Sequence, residues 1–343
     1  MALTRVRLGS VAVLAASAAL YGAGAVLPAS AQAADKPPGA AVHGPAVAAA
    51  QLRSTEQFWT EDRMRKAVVL DEASSDRQTV LPPQLPAVQQ GPAGRADPVV
   101  GPAGRAGDAG GGPGFGSTGT KWYGSTSNPP ATTSGRVFFT GNDGGSYSCS
   151  GSTVNSQGKD LVFTAGHCVH PGGSGNWVSN WTFVPGYANG SAPHGRWTAR
   201  QLWSWTLWTQ NGDRRYDIGV AVMNPVSGQH IVNAVGGQGI EWNYPLEQEV
   251  FQFGYPARAP FNGSSLQYCS GRTFKDGGNE GINCTMTEGA SGGPWLDDFN
   301  GTLGYLDSVN SWVFWDGNGV RYKWNGPYFG NDARDLYNAT AGL

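Results

Sequence analysis

The sequence predicts an all-β architecture over residues 118–343, and three observations carry that expectation. Short apolar runs rich in β-branched and aromatic residues recur there, including Arg136-Val137-Phe138-Phe139, Leu161-Val162-Phe163, Ile218-Gly219-Val220-Ala221-Val222 and Val250-Phe251-Gln252-Phe253-Gly254. Clusters of Gly, Asn, Asp and Ser separate them, as turns require. No long stretch repeats apolar residues at helical spacing, and the segment is long enough for two β-barrel lobes.

The chain opens differently. Arg5 and Arg7 precede an apolar stretch from Val11 to Leu27, and Ala29-Ser30-Ala31-Gln32-Ala33 offers the small residues that signal peptidase cuts after. Residues 1–33 therefore read as a removed signal peptide and the mature protein as secreted and extracellular. A transmembrane anchor is the competing reading, but the stretch is short and rich in Ala and Gly, and no other segment reaches about 18 apolar residues.

Residues 34–117 are rich in Ala, Gly and Pro, contain no cysteine and repeat Gly91-Pro92-Ala93-Gly94-Arg95-Ala96 as Gly101-Pro102-Ala103-Gly104-Arg105-Ala106. Such a composition buries little core and favours an extended chain. Ser54-Thr55-Glu56-Gln57 has the form of a capping box, so one short helix with Phe58, Trp59, Met64, Val68 and Leu70 on its apolar side is expected. It reads as a propeptide element that docks on the downstream domain, with the Arg95 and Arg105 loops as processing sites.

Two motifs carry chemistry. Thr164-Ala165-Gly166-His167-Cys168 supplies a histidine, and Thr287-Glu288-Gly289-Ala290-Ser291-Gly292-Gly293-Pro294 supplies a serine among glycines. A serine hydroxyl needs a neutral imidazole to take its proton and a carboxylate to hold that imidazole in one tautomer. Gly289 frees the backbone to aim N–H groups at an oxyanion, so Gly289 and Ser291 are the candidate donors. Asp217 opens the run Ile218–Val222 at the edge of a buried strand and is the candidate third member; Asp213 is the fallback.

Chain order decides between hydrolase types. Gly289-Ala290-Ser291-Gly292-Gly293 also fits the nucleophile elbow of α/β-hydrolases, which requires a histidine after the serine. His43, His167, His170, His194 and His230 all precede Ser291. A subtilisin-like order would need Asp143 or Asp160, and neither sits in a motif of that family.

The two motifs together resemble the chymotrypsin-like (trypsin-like) serine peptidases, over about 118–343, and within them the secreted bacterial branch of V8-like glutamyl endopeptidases. The resemblance implies two antiparallel Greek-key β-barrels, 118–235 and 236–343, with His167 and Asp217 from the first, Ser291 from the second and the site in the cleft between. It also implies a short C-terminal helix near Asn331 to Tyr337 and a disulfide from Cys149 to Cys168, which leaves Cys269 to Cys284. The implied activity is that of a serine endopeptidase made as a zymogen, with a protein or peptide substrate.

Two positions depart from the family pattern. Ala290 stands where many members carry the Asp that pairs with a newly freed N-terminal ammonium, so that switch is absent or different. Thr285, six residues before the serine, replaces the carboxylate that selects basic substrates. The histidine of the glutamyl branch is missing from Leu306–Trp312, and Glu288 would repel an acidic side chain, so an uncharged P1 residue is expected.

Other classes receive less support. The formal net charge of −2 gives no reason to expect nucleic acid or anionic membrane as a partner. No cofactor motif occurs, and four cysteines without a C-x-x-C pair argue against zinc. The expected partners are substrate and the chain's own propeptide, with the enzyme a monomer. Twelve of thirteen tryptophans follow residue 120, including Trp203, Trp205 and Trp208. They motivate one alternative, a catalytically silent peptidase-fold protein that binds a cell-wall or polysaccharide partner.

Overall fold

A computed structural model describes residues 39–70, 91–101, 116–173 and 175–343. The expected signal peptide and Arg105 lie outside the described residues.

In chain order the upstream segments form β1 (Ala41–His43), α1 (Ala49–Phe58), α2 (Glu61–Lys66), β2 (Val68–Val69), β3 (Gly94–Ala96) and β4 (Gly116–Lys121). They are more structured than their composition suggests. The first helix begins before the expected capping box: Ser54 and Thr55 donate their hydroxyls to the Gln51 carbonyl inside α1, and Thr60 caps α2 by accepting from Arg63 N–H. Arg95 is not on an exposed processing loop, because β3 pairs with a strand of the second lobe. Gly116–Lys121 likewise joins the second lobe rather than the first.

The first lobe is built from β5 (Ser134–Thr140), β6 (Ser146–Val154), β7 (Leu161–Thr164), β8 (Ser179–Pro185), β9 (Trp197–Trp205), α3 (Thr206–Asn211), β10 (Gly219–Met223) and α4 (Ile231–Val235). Its strands run antiparallel in the order β9-β10-β7-β6-β5-β8, and β8 returns to β9 through Thr182↔Thr198 and Phe183↔Trp197. The sheet therefore closes on itself and leaves no ladder edge open. The apolar runs noted in the sequence supply buried residues such as Val137, Val162, Phe163 and Val220, and β8 adds Phe183.

The second lobe follows with β11 (Gly239–Trp242), β12 (Glu249–Gly254), β13 (Gln267–Arg272), β14 (Phe274–Asp276), β15 (Asn279–Asn283), β16 (Pro294–Asp297), β17 (Tyr305–Val309), β18 (Trp312–Trp315), β19 (Arg321–Gly326) and α5 (Asn331–Thr340). One sheet runs β3-β11-β17-β16-β12-β13-β4 and a second runs β14-β15-β19-β18. The chain passes from one to the other at β13/β14 and β17/β18, and the two sheets share a core of Val250, Ile282, Trp295, Val313 and Trp324. The Cys269–Cys284 disulfide lies in that core and Cys149–Cys168 in the first, both paired as expected. Each closes a loop short enough to be worth about 3 kcal/mol in the chain-entropy account.

The upstream helices dock on the first barrel. Trp59 is fully buried, packs on Phe138 at 5.4 Å between centroids and donates its indole N–H to the Asn180 carbonyl at 2.6 Å. Met64 is fully buried as well. Trp59→Ala is expected to cost about 3–5 kcal/mol of docking, read as proteolytic sensitivity of 39–70 with the barrels left intact.

Four carboxyls, Glu241, Glu280, Asp297 and Asp307, are buried within the second lobe. Burial, followed by their mutual repulsion, pushes Glu241 up to about 9, and burial pushes Asp307 up to about 7; Glu280 and Asp297 are raised too. Arg95 opposes this by pairing with Glu241 at 3.0 Å, but burial and the neighbouring acids outweigh it. A raised carboxyl pKa stabilises the fold fully below the ordinary range near 4, and that contribution is lost as pH rises through the folded value. The thermal midpoint should therefore fall by about 5 °C or more between about pH 5 and pH 9, and Glu241→Gln should flatten that slope.

Candidate active site

The strand β7 ends at Thr164, and the chain turns through a 3-10 turn, Gly166–Cys168, that carries His167. Gly166 is required by close approach, since a Cβ there would lie 2.9 Å from both Asp217 Oδ1 and Trp208 Cδ1. Asp217 sits between a second 3-10 turn, Arg214–Tyr216, and β10. One of its oxygens accepts the His167 backbone N–H at 2.7 Å; the other accepts the His167 Nδ1–H at 2.9 Å and the Ser311 hydroxyl at 2.5 Å. With Nδ1 as donor, Nε2 is left as the basic nitrogen.

The alternatives to Asp217 are engaged elsewhere. Asp213 caps its own turn and pairs with Arg215 at 2.5 Å. Asp160 is held by Arg200 and His230, and Asp143 bonds the Tyr147 hydroxyl. Burial keeps His170 below the usual imidazole range, and its Nδ1 accepts from Gly172 N–H.

Ser291 arrives on the turn Thr287–Gly293, in which Gly289 (φ +97°) and Gly292 (φ +78°) have backbone angles that other residues rarely adopt. Gly292 also faces the histidine turn, for a Cβ there would stand 2.8 Å from Ala165 N. Ser150 fastens the two lobes at this point. Its N–H donates to Ser291 O at 2.7 Å, its hydroxyl donates to Gly289 O at 2.8 Å, and the same hydroxyl accepts Tyr255 N–H at 2.9 Å. Its neighbour Cys149 is bridged to Cys168, whose Sγ lies 3.8 Å from Ser291 O. His167, Asp217 and Ser291 are 8%, 1% and 7% exposed, so water has only narrow access to them.

The carbonyl of Glu288 accepts from Ala257 N–H at 2.7 Å, and that of Ala290 accepts from Gly293 N–H at 2.9 Å. Because C=O and N–H point opposite ways across a trans peptide, these contacts turn the following N–H groups, of Gly289 and Ser291, away from Ala257 and Gly293 respectively. Among the described residues no protein acceptor takes either one. Cys149, His167 and Cys168 bring three metal-type donors within 4.8 Å, but both sulfurs belong to a disulfide and offer no thiolate.

No protein-family model matches the chain. A solved structure of the protease Anisep from Arthrobacter nicotinovorans is 41% identical, with a TM-score of 0.59 over 62% of this chain and 97% of that one. The thermostable serine protease AL20 from an extremophilic microorganism is 36% identical, with a TM-score of 0.58 over 62% and 97%. The chain belongs to the chymotrypsin-like serine peptidases.

A Glu endopeptidase shares the fold at 20% identity, with a TM-score of 0.52 over 66% of this peptidase and 98% of that chain. An extracellular metalloprotease of Bacillus subtilis (strain 168) is 36% identical over 98 residues; the match spans 29% of each chain. Among the described residues of the peptidase, no helix is long and apolar enough to cross a membrane.

Three features of the peptidase's cleft differ from expectation or were not anticipated. Glu288 is buried, and Arg321 Nη2 binds both of its oxygens at 2.8 and 3.0 Å, with Arg258 Nε at 3.6 Å. Its charge is offset, so it does not repel acidic side chains as its position in the sequence suggests. Thr285 accepts Gly119 N–H through its hydroxyl, which commits it to β4. Leu70 and His167 line one cavity of about 450 Å³, and β2 lies parallel to β6 with Val68↔Tyr147 and Val69↔Ser148, bringing the upstream segment to the site. Of the tryptophan cluster, Trp205 and Trp208 are buried and Trp203 packs against His43 in a tilted arrangement at 4.6 Å, so the cluster packs within the fold.

Proposed function

We propose that the peptidase is secreted and hydrolyses peptide bonds through a triad of Ser291, His167 and Asp217. The observation that carries this reading is the double grip of Asp217 on His167, at the backbone N–H and at Nδ1, beside the turn that bears Ser291. His167 Nε2 takes the Ser291 proton as the hydroxyl attacks a substrate carbonyl, gives it to the leaving amine, and later activates water for deacylation. Asp217 holds the tautomer and stabilises the imidazolium. The Gly289 and Ser291 N–H groups stabilise the oxyanion, each worth roughly 3 kcal/mol. Turnover of a peptide library by the processed protein, absent in Ser291→Ala, tests the reading and reports the P1 preference, for which an uncharged side chain is expected. Comparing amide with ester substrates separates a peptidase from an esterase.

The segment 39–70 acts in this proposal as a propeptide that restrains the zymogen. Its support is the cavity that Leu70 shares with His167 and the anchor at Trp59. Unprocessed protein should react slowly with an active-site probe, and Trp59→Ala should raise that rate about tenfold or more, since loss of a buried anchor shifts the docked population. An unchanged rate would assign the segment a folding or structural role only.

A further inference from the structure

Residue 290, next to the serine, is an alanine with no charge to anchor the turn. It is fully buried against Gly254, where a Cβ would come within 2.7 Å of the Ala290 Cβ, so a larger side chain has no space on that side. The turn is held from elsewhere, by Asn310.

Asn310 is fully buried between β17 and β18. Its Nδ2 donates to Ala290 O at 2.7 Å and to Phe253 O at 2.9 Å. Its Oδ1 accepts from Trp295 Nε1 at 2.6 Å and from Gln252 Nε2. An indole N–H only donates and a carbonyl only accepts, so these partners assign the two ends of the carboxamide without ambiguity. Both Nδ2 hydrogens and both Oδ1 lone pairs are used, and a flipped amide would leave several buried groups unpaired. The Asn310 backbone also brackets the turn: Gly292 N–H donates to Asn310 O at 2.7 Å, and Asn310 N–H donates to Gly293 O at 2.9 Å.

We propose that Asn310 is the positioning residue that fixes the Ala290–Ser291 peptide, and with it the Ser291 N–H, in the orientation that stabilises the oxyanion. It fills by neutral hydrogen bonds the place that an ionic pair at residue 290 would otherwise take. The inference rests on Ser291 being the nucleophile. Its consequence is an oxyanion site that needs no newly freed N-terminal amine.

Two variants test it in the processed protein. Asn310→Asp keeps the shape but sets an oxygen against the carbonyls of Ala290 and Phe253; kcat should fall roughly 100-fold with KM within about threefold. The affinity of a peptide boronate, which mimics the tetrahedral intermediate, should fall in parallel with kcat/KM. Trp295→Phe removes the indole donor to Oδ1, and with it some buried ring volume that lowers the thermal midpoint; kcat in the folded fraction should fall about tenfold with the same pattern. A purely structural role would lower the thermal midpoint and leave kcat and boronate affinity unchanged in the folded fraction. Wild type is labelled first with a fluorophosphonate; no adduct on Ser291 would defeat the nucleophile reading, and this proposal with it, before any variant is made. If wild type is labelled and both variants keep wild-type kcat, the role of Asn310 is overturned. Should Asn310→Asp not fold, Trp295→Phe decides alone, and unchanged kcat there overturns the proposal.

Discussion

Ser291→Ala is expected to lower kcat by about a millionfold, to the background that binding and the oxyanion donors alone supply. The size follows from the unit character of the triad: without the hydroxyl there is no acyl-enzyme, and His167 and Asp217 have no nucleophile to activate. Stability should change little, because the Ser291 hydroxyl has no protein partner among the described residues, whereas the backbone contacts of the turn, Ser150 N–H to Ser291 O and Gly293 N–H to Ala290 O, do not involve the side chain. A circular-dichroism melt within about 2 °C of wild type, paired with loss of turnover, would separate a chemical defect from a folding defect.

Asp217→Asn is expected to lower kcat about ten-thousandfold with the geometry preserved. Its Oδ2 accepts from both His167 Nδ1 and Ser311, while Oδ1 accepts from His167 N–H. A carboxamide matches the shape but has one donor end. Whichever end faces the ring, an acceptor contact is lost: either His167 becomes the Nε2–H tautomer, unable to take the Ser291 proton, or the backbone N–H of His167 meets an NH2 group. KM should stay near wild type, because no substrate contact is removed. Steady-state kinetics on one peptide substrate check both numbers.

The candidate triad residues were legible because each sits in a local pattern. His167 follows a β-strand and stands beside a cysteine, Ser291 lies among glycines, and Asp217 opens an apolar run; the structure brings His167 and Asp217 to 2.9 Å. The all-β character was legible from the strand pattern, the barrel arrangement came with the family resemblance, and both disulfides pair as that resemblance implies. Ser150, Asn310 and Ser311 were not read as parts of the site. Their contacts reach across 139, 20 and 94 residues, to Gly289, Ala290 and Asp217, and no periodicity in a sequence marks an ordinary polar residue for such a partner.

The upstream region was legible only in part: a docking helix around Trp59 and Met64 was expected, and the extent of ordered chain was not. Its Ala, Gly and Pro content suggested an extended chain, yet a few large anchors suffice to dock it: Trp59 and Met64 on the first barrel, and Arg95 bonded at 3.0 Å to the buried Glu241 carboxyl on the second. Composition averages over the segment, while docking depends on single side chains with deep burial. The capping-box pattern at Ser54 failed for a related reason. Hydroxyls inside a helix can bond the preceding turn's carbonyl, as Ser54 and Thr55 do with Gln51, so the motif alone does not locate a helix start.

The central claim, an activated Ser291, is tested most directly by covalent labelling of the purified, folded protein, with and without residues 1–117, using a fluorophosphonate probe read by intact mass and peptide mapping. One adduct, located on Ser291 and missing from Ser291→Ala, is the predicted result; no adduct on either correctly folded form, or an adduct on another residue, would contradict it.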